Sequence, residues 1–462
     1  MEVRPADTRK FAAGVSQLSG ITSVETPEPR FSASEPGLTA MYSAGIPYQW
    51  QYTATRVGAV PEAVLRAAAG VKVAVIDTGA DVTAPDLAAK APETYNIFNG
   101  STDIRDYHGH GTFVASIAGG SVTNGEGIAG SSGDSQLLLI QSGRADGSFT
   151  DVDEADAIVY AVNHGAKVIN LSIGGTQTSA VERKALEFAS EHGVLIVAAA
   201  GNEFEDGNPV EYPAALLQPV GSQGRGGLGL SVGASTKAGR RAPFSNTGSW
   251  ISLAAPGENV FGAVSSQAKA RNWPRYALPG SSTGFYGYSS GTSFAAPQVA
   301  GAAALVWAAN PNLTRDQVAW ILKRTASGDG NWAKGLGYGV LDVGRAVATA
   351  QNGGEIVPPA RAYSSLRLVG PLRKVRRMRI RVRARLNSRL SAISPAGRRV
   401  SLQVRRKGKW HRIARGRTRA GGRVALQTRL RPGRYVMRVK YAGAPELTAA
   451  SSGRLVVRVR AS

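Results

Sequence analysis

The sequence predicts an α/β protein built on a doubly wound, mostly parallel sheet, followed by an all-β, sandwich-like domain. Three observations predict it. Apolar strands alternate with amphipathic helical stretches up to about residue 350. The hydrophobic period then shortens to two, the period of half-buried strands. The charge breaks at the same place: from Arg361 onward 30 Lys/Arg face a single acid, Glu446, giving +29, whereas residues 1–360 carry −6. A mildly acidic body and a strongly basic tail imply two modules with different partners. The 462 residues, 43% of them hydrophobic, suffice for a large core and two domains. With no cysteine, disulfides and thiolate nucleophiles are excluded.

Residues 1–44 have mixed polarity with scattered prolines, and Met1-Glu2-Val3-Arg4-Pro5 leads into polar sequence with no apolar run of a secretory signal. The first buried strand is Val71–Ile76, ending in Asp77-Thr78-Gly79. Gln136–Ile140 reads as a second strand. Asp151–His164 reads as a helix with Ala155, Ile158, Val159 and Val162 on one face. Val168–Ser172 is a third strand, Ala180–His192 a helix closed by Gly193, and Val194–Ala200 a fourth strand. Continuous apolar strands separated by helices indicate a parallel sheet covered on both faces. Sites in such sheets gather beyond the C-terminal ends of the strands, and Asp77, Ser172 and Asn202 all follow such ends.

Ser289-Ser290-Gly291-Thr292 is a polar, glycine-rich loop that gives way to a helix at Ser293. A serine there has unpaired N–H groups beside it and a helix dipole that favours negative charge; the ordinary reading is a helix N-cap. Gly301 and Ala302–Ala304 allow the helix to pack closely. The apolar run Phe294–Ala309 is broken by Pro297, Gln298 and Gly301 and is too short to span a bilayer. The helix stops at Asn310-Pro311, and Thr314-Arg315-Asp316-Gln317 is a capping box opening another helix to about Lys323. Residues 353–362 are a Gly/Pro-rich linker. Beyond it, Met378, Ile380, Val382, Ala384 and Leu386 alternate with Arg377, Arg379, Arg381, Arg383 and Arg385. Val400–Val404, Tyr435–Tyr441 and Leu455–Val459 alternate likewise, as in a small β-sandwich.

Asp77, His110 in His108-Gly109-His110-Gly111-Thr112, Asn202 in Ala199-Ala200-Gly201-Asn202, and Ser293 each have an ordinary reading as turn, structural or capping residues. An acid, a base, an amide donor and a nucleophile together are the parts of acyl transfer. Val-Ile-Asp-Thr-Gly at 75–79, His-Gly-Thr at 110–112 and Gly-Thr-Ser-Phe-Ala-Ala-Pro at 291–297, in this order and joined by Ala-Ala-Gly-Asn at 199–202, resemble the blocks of the subtilisin-like serine proteases. The resemblance covers roughly residues 45–350.

That resemblance implies a subtilisin-like fold over 45–352, with the basic β-domain at 363–462, and a serine endopeptidase working through Asp77, His110 and Ser293. Asn202 would serve as oxyanion donor, and no cofactor would be required for catalysis. His108 becomes a rim residue, since the family's base directly precedes Gly-Thr. Substrate would bind as an added strand along Ser172, Ile173 and Gly174 and, opposite, Ser142-Gly143-Arg144. Glu211, before Tyr212-Pro213-Ala214, would lie at the base of the P1 pocket and favour Arg or Lys, reinforced by Glu203, Glu205 and Asp206. Asp86 and Asn124 resemble ligands of the family's structural Ca²⁺ site.

Residues 15–25 resemble the last strand of an inhibitory prosegment and Pro47-Tyr48-Gln49-Trp50 the start of a mature domain, which places processing between about Ser32 and Ser43. The family implies a secreted, extracellular protein. The basic residues 361–462 would attract anionic cell-wall polymers or other polyanions. The alternative is a catalytically inactive subtilisin-fold surface protein that binds polyanions; the presence of all four chemical groups argues against it. An esterase is disfavoured because Ser293 lies outside a Gly-x-Ser-x-Gly elbow. The run 221–229 interrupts a stretch usually continuous, and the long 257–290 loop, with Trp273 and Tyr276, is expected to shape an extended substrate site.

Overall fold

The computed structural model describes residues 29–32, 48–124, 127–269, 272–273, 275–276, 285–353, 364–368, 379–388, 395–406, 408–443, 450–452 and 454–459. The expected prosegment strand at 15–25, the processing region beyond Ser32, most of the 353–362 linker, and Arg377 and Met378 lie outside the described residues. The chain divides into two compact units, one of 1–217 and 228–357, the other of 218–227 and 358–462. The glycine-rich run straddles that division.

In chain order, the first unit contains β1 (Pro29–Ser32), β2 (Lys72–Asp77), β3 (Glu93–Asn96), α1 (His110–Gly119), β4 (Gln136–Gln141), β5 (Ser148–Thr150), α2 (Asp151–Asn163), β6 (Val168–Leu171) and β7 (Ile173–Gly174). It continues with α3 (Ala180–Glu191), β8 (Leu195–Ala199), β9 (Gly229–Ser235), β10 (Leu253–Pro256), β11 (Val260–Val264), β12 (Phe285–Ser289), α4 (Thr292–Ala309), α5 (Arg315–Thr325) and α6 (Val343–Gln351), with several shorter helices. Seven strands form a wholly parallel sheet in the order β10-β9-β8-β6-β2-β4-β3. The predicted strands and helices fall within a residue or two of these bounds, and the capping box of Thr314 and Gln317 is formed.

Helices α1 and α4 cover one face through Phe113, Val114, Phe294, Val299 and Val306. Helices α2 and α3 cover the other through Ile158 and Leu186. Helix α1 is buried all round, which explains its unbroken run of small and apolar residues. A Cβ on Gly301 would lie 2.8 Å from the Ala118 carbonyl, so the glycine lets α4 pass close over α1. Beside the main sheet, β1 lies between β5 and β7 in a three-stranded antiparallel sheet.

The second unit holds β13 (Ser364–Leu368), β14 (Arg379–Ser388), β15 (Arg399–Arg406), β16 (Lys409–Arg417), β17 (Arg423–Arg429), β18 (Gly433–Tyr441), β19 (Ala450–Ser451) and β20 (Leu455–Val459). One antiparallel sheet runs β13-β14-β17; in the other β16, β15, β18 and β19 follow in order and β20 also pairs with β18. Ile380, Val382 and Leu426 from the first share a core with Leu402, Met437 and Val457 from the second. On β14, Arg381, Arg383 and Arg385 are exposed while the intervening apolar residues are buried, so the alternation is that of a strand with one wet face. Among the described residues, no helix is long and apolar enough to cross a membrane.

Candidate active site

Asp77 ends β2 at the C-terminal edge of the sheet, and His110 opens α1. Their side chains are buried, with His110 Nδ1 2.7 Å from Asp77 Oδ1. That contact fixes the ring orientation and leaves Nε2 as the nitrogen available for proton transfer. The same Asp77 oxygen accepts the Thr78 N–H at 2.8 Å.

Position 110 is held by a residue that the sequence did not single out. Asp106 is fully buried and accepts from the N–H groups of Gly109 and Thr112 and from the hydroxyls of Thr112 and Thr78. The carboxylate thereby satisfies orphan donors at the start of α1 and ties that helix to the end of β2. Trp273 braces the loop from the other side: its indole N–H donates to the His108 carbonyl at 2.7 Å and its ring packs on Phe113. A Cβ on Gly109 would lie 2.5 Å from that indole nitrogen, so glycine is required there, where φ is also +98°. Trp273 therefore supports the histidine loop. His108 is half-buried, and burial, followed by the neighbouring His110, holds its imidazole below the usual range.

Ser293 is the second residue of α4, and the hydrogen bond shown for its hydroxyl is to the Ser172 carbonyl, at 3.3 Å. The carbonyl of Ser293 has an unusual partner. Pro297, four residues on, has no N–H to give it, and the Ser172 hydroxyl donates to it at 2.8 Å. Asn170 Nδ2 in turn donates to the Ser172 hydroxyl at 2.9 Å. A proline inside the first turns of α4 thus makes the Ser293 backbone depend on a side chain from the neighbouring β6–β7 segment.

Asn202 follows β8. Its Oδ1 accepts from the Thr292 N–H at 2.8 Å and the Thr292 hydroxyl at 3.0 Å. Two donors at one end fix the amide orientation, so the Nδ2 end is the one presented as a donor. The sequence-predicted acid and base are in direct contact, and the nucleophile and amide share the Thr292–Ser293 helix start.

Of the segments expected to pair with substrate, Ile173 and Gly174 form β7, which pairs with β1, and the strand on the other edge of β1 is β5. The N–H groups of Ser142 and Gly143 are both bonded to the Asp77 carbonyl, and the chain turns at Gly147 before β5. Glu211 is buried beneath β7. A Cβ on Gly174 would lie 2.6 Å from Glu211 Oε2, and one on Gly201 would lie 2.7 Å from that oxygen, so the carboxylate is sandwiched between groove strand and amide loop. Glu203 turns elsewhere, accepting from Asn202 N–H and Asn246, while Glu205 and Asp206 are exposed.

Asp86 is fully buried and accepts from the Ile128 N–H and the Tyr286 hydroxyl, each at 2.9 Å, and from the Asn124 amide at 3.4 Å. Burial raises its carboxyl above the usual range. Among the described residues, no group of three or more His, Cys, Asp or Glu is placed to hold a metal. An asparagine that turns its amide nitrogen to the carboxylate fits a hydrogen-bonded structural carboxylate better than a shell of hard oxygen ligands.

A model of the subtilase family matches residues 68–339, more than half of the sequence. The chain belongs to the subtilase family. This subtilase is 35% identical over 287 residues to the thermophilic serine proteinase of Bacillus sp. strain AK1, spanning 62% of this chain and 63% of that one. It is 33% identical to thermitase of Thermoactinomyces vulgaris over 58% of this chain and 86% of the relative. It thus spans just under two thirds of the length of the AK1 proteinase. In fold it is similar to fervidolysin of Fervidobacterium pennivorans, a keratinolytic enzyme related to subtilisin, with a TM-score of 0.63, 24% identity, and coverage of 94% of this chain and 64% of that one.

Proposed function

We propose that this subtilase is a serine endopeptidase. Substrate lies as an extended strand between β5 and β7. Ser293 Oγ forms a bond to the scissile carbonyl carbon while His110 Nε2 takes its proton, and Asp77 stabilises the imidazolium. The C–N bond then breaks, and the imidazolium returns the proton to the leaving amine. Water, deprotonated by the same imidazole, releases the acyl group from Ser293. The Asn202 amide and the Ser293 N–H hold the oxyanion; loss of such an amide costs about 10²–10³ in kcat, a range established for a subtilisin. Ser293 Oγ must swing from the Ser172 carbonyl toward His110, a change that free enzymes commonly complete only with substrate bound.

The observation that carries this reading is the position of β1. The chain's own residues 29–32 occupy the groove as an antiparallel strand bonded on both sides, Phe31 opposite Gly174 and Ser148. Main-chain pairing of that kind is what an extended substrate needs, and it supports an inhibitory N-terminal segment removed by a cut beyond Ser32. Glu211 beneath Gly174 supports a preference for Arg or Lys at P1. Export from the cell and retention on polyanions by residues 361–462 complete the proposal. The test is casein hydrolysis by wild type and Ser293→Ala, with and without phenylmethylsulfonyl fluoride. Loss in the variant and on inhibition is expected, and equal activity in both proteins would sink the mechanism.

A further inference from the structure

We propose that the outer face of the β13-β14-β17 sheet binds a linear phosphodiester polymer of the cell-wall kind, one with no bases to stack. This deepens, and rests on, the reading that residues 361–462 retain the protein on polyanions.

The strand period builds the face. Ile380, Val382, Ala384 and Leu386 of β14 point into the core, so Arg381, Arg383 and Arg385 share the opposite face, where all three are exposed. Alternate residues of a strand repeat every ~7 Å, so these three span about 14 Å. Pairing widens the row. Arg385 stands between Arg367 of β13 and Arg423 of β17, and directly opposed residues project to the same face. Arg429 lies on that face too, further along β17, and is exposed. No acidic residue occurs in the three strands.

Exposed charge on a strand is ordinarily solvated surface, but such surfaces mix both signs. Here Arg385 has an arginine directly opposite on each side, an arrangement that weakens a sheet. The middle of the other sheet avoids it. On β15, Ser401 stands between Arg415 and Lys440, and Gln403 between Arg412 and Arg438. Arg438 donates to Gln403 at 2.9 Å and lies over the Trp410 ring. The unrelieved row on β14 becomes favourable once an anion lies along it. A depression of about 420 Å³, lined by Ile380, Arg381, Gln427, Thr428 and Arg429, gives such an anion a seat at one end of the row.

The side-chain chemistry selects the polymer. Of the 30 basic residues from Arg361 onward, 26 are arginine. The arginine fork sets two parallel N–H groups on two oxygens of one phosphate. Arg385 is steadied for this by its Nε, which donates to the Gly421 carbonyl at 3.0 Å. A row of about 14 Å is longer than a single phosphate group, so the ligand presents several in line. A flexible phosphodiester backbone can set its phosphates at the strand's repeat, whereas the charges of a sulfated glycan are fixed to rigid rings. Single-stranded nucleic acid stacks its bases on aromatic side chains, and β13, β14 and β17 contain none.

The test measures binding of poly(glycerol phosphate) to the full-length Ser293→Ala protein by calorimetry across a salt series. Two triple variants remove the same charge: Arg381→Gln/Arg383→Gln/Arg385→Gln on this face, and Arg412→Gln/Arg415→Gln/Arg458→Gln on the other sheet. Folding of each is checked by Tm. The first should weaken binding at least tenfold at low salt and reduce the slope of log K against log salt by about two, at about 0.7 per phosphate contact. The second should weaken it less than threefold. Arg381→Lys/Arg383→Lys/Arg385→Lys keeps the charge, and so the fold, and should still weaken binding severalfold through loss of the fork. Equal losses in the two glutamine variants would overturn the face and leave retention on polyanions standing. Failure of the Ser293→Ala chain to bind either poly(glycerol phosphate) or heparin would remove retention itself. Tighter binding of heparin or oligo(dT) than of poly(glycerol phosphate), at equal charge, would overturn the choice of partner.

Discussion

Ser172→Ala tests how the Ser293 backbone is held. The Ser293 carbonyl receives the Ser172 hydroxyl at 2.8 Å because Pro297 brings no N–H to the i+4 position. Deleting the hydroxyl removes a donor from a buried acceptor, at about 1–3 kcal/mol. Pro297→Ala restores a backbone donor four residues on, the ordinary helical partner of that carbonyl. In that background the same deletion leaves the carbonyl bonded. The two substitutions should therefore couple by about 1–2 kcal/mol, as expected of groups sharing one partner. In melting temperature that is roughly 2–8 °C, at about 2–4 °C per kcal/mol for a domain of this size. Unfolding is followed by circular dichroism in the Ser293→Ala protein, which keeps the carbonyl and avoids self-digestion. If Ser172→Ala costs the same with and without Pro297→Ala, the hydroxyl is not standing in for the missing N–H.

Four further outcomes are expected. Glu211→Gln should lose most of a roughly tenfold preference for Arg over Phe at P1, set by a charge-assisted pair; a wild-type peptide-library profile that cleaves after Phe or Leu as readily as after Arg would refute the role. Lys90 donates to the Gly133 carbonyl, and burial lowers its ammonium to about 8, so the folded chain sheds this proton before the unfolded one. Its contribution to stability thus rises between about pH 8 and 10, and melting curves of wild type and Lys90→Met should shift in favour of wild type over that window. EDTA should leave the melting temperature unchanged, given the donors already on Asp86; a fall reversed by Ca²⁺ would establish the ion there. The full chain should be retained on heparin at low salt and released as salt rises, and a chain ending at residue 352 should pass through.

The parts of this molecule that were legible are those whose signal is local. Buried parallel strands read as unbroken apolar runs, so Val71–Ile76 and Val194–Ala200 stood out, and the proposed acid, base, amide and nucleophile each lay in a short block. What escaped notice depends on pairing across the chain. Asp106 looks like a loop acid, yet it collects four donors, one from Thr78 across 28 positions. Trp273 looked like a groove residue because nothing in its neighbourhood announces the His108 carbonyl that it holds. β5 is only three residues long, with one apolar position, and was passed over for Ser142-Gly143-Arg144 nearby. In the basic domain β16 was missed for a related reason: its residues are half-exposed on both faces, so the period of two is diluted.

The charge break that first divided the sequence also bears on what the groove can take. The proposed P1 acid, Glu211, would favour arginine there, and the chain itself carries a domain full of arginines. Charge alone would make that domain a preferred substrate. Backbone pairing prevents it. The groove needs several consecutive residues free to bond on both edges, as residues 29–32 do between β5 and β7. The arginines of β14 are already bonded to β17 on one edge and, in part, to β13 on the other, and those of β15 lie between β16 and β18. An arginine in a formed strand cannot enter until its sheet opens. Selectivity against self therefore rests on the stability of the basic domain, and conditions that unfold it first should turn its arginine-rich strands from exempt neighbours into substrate.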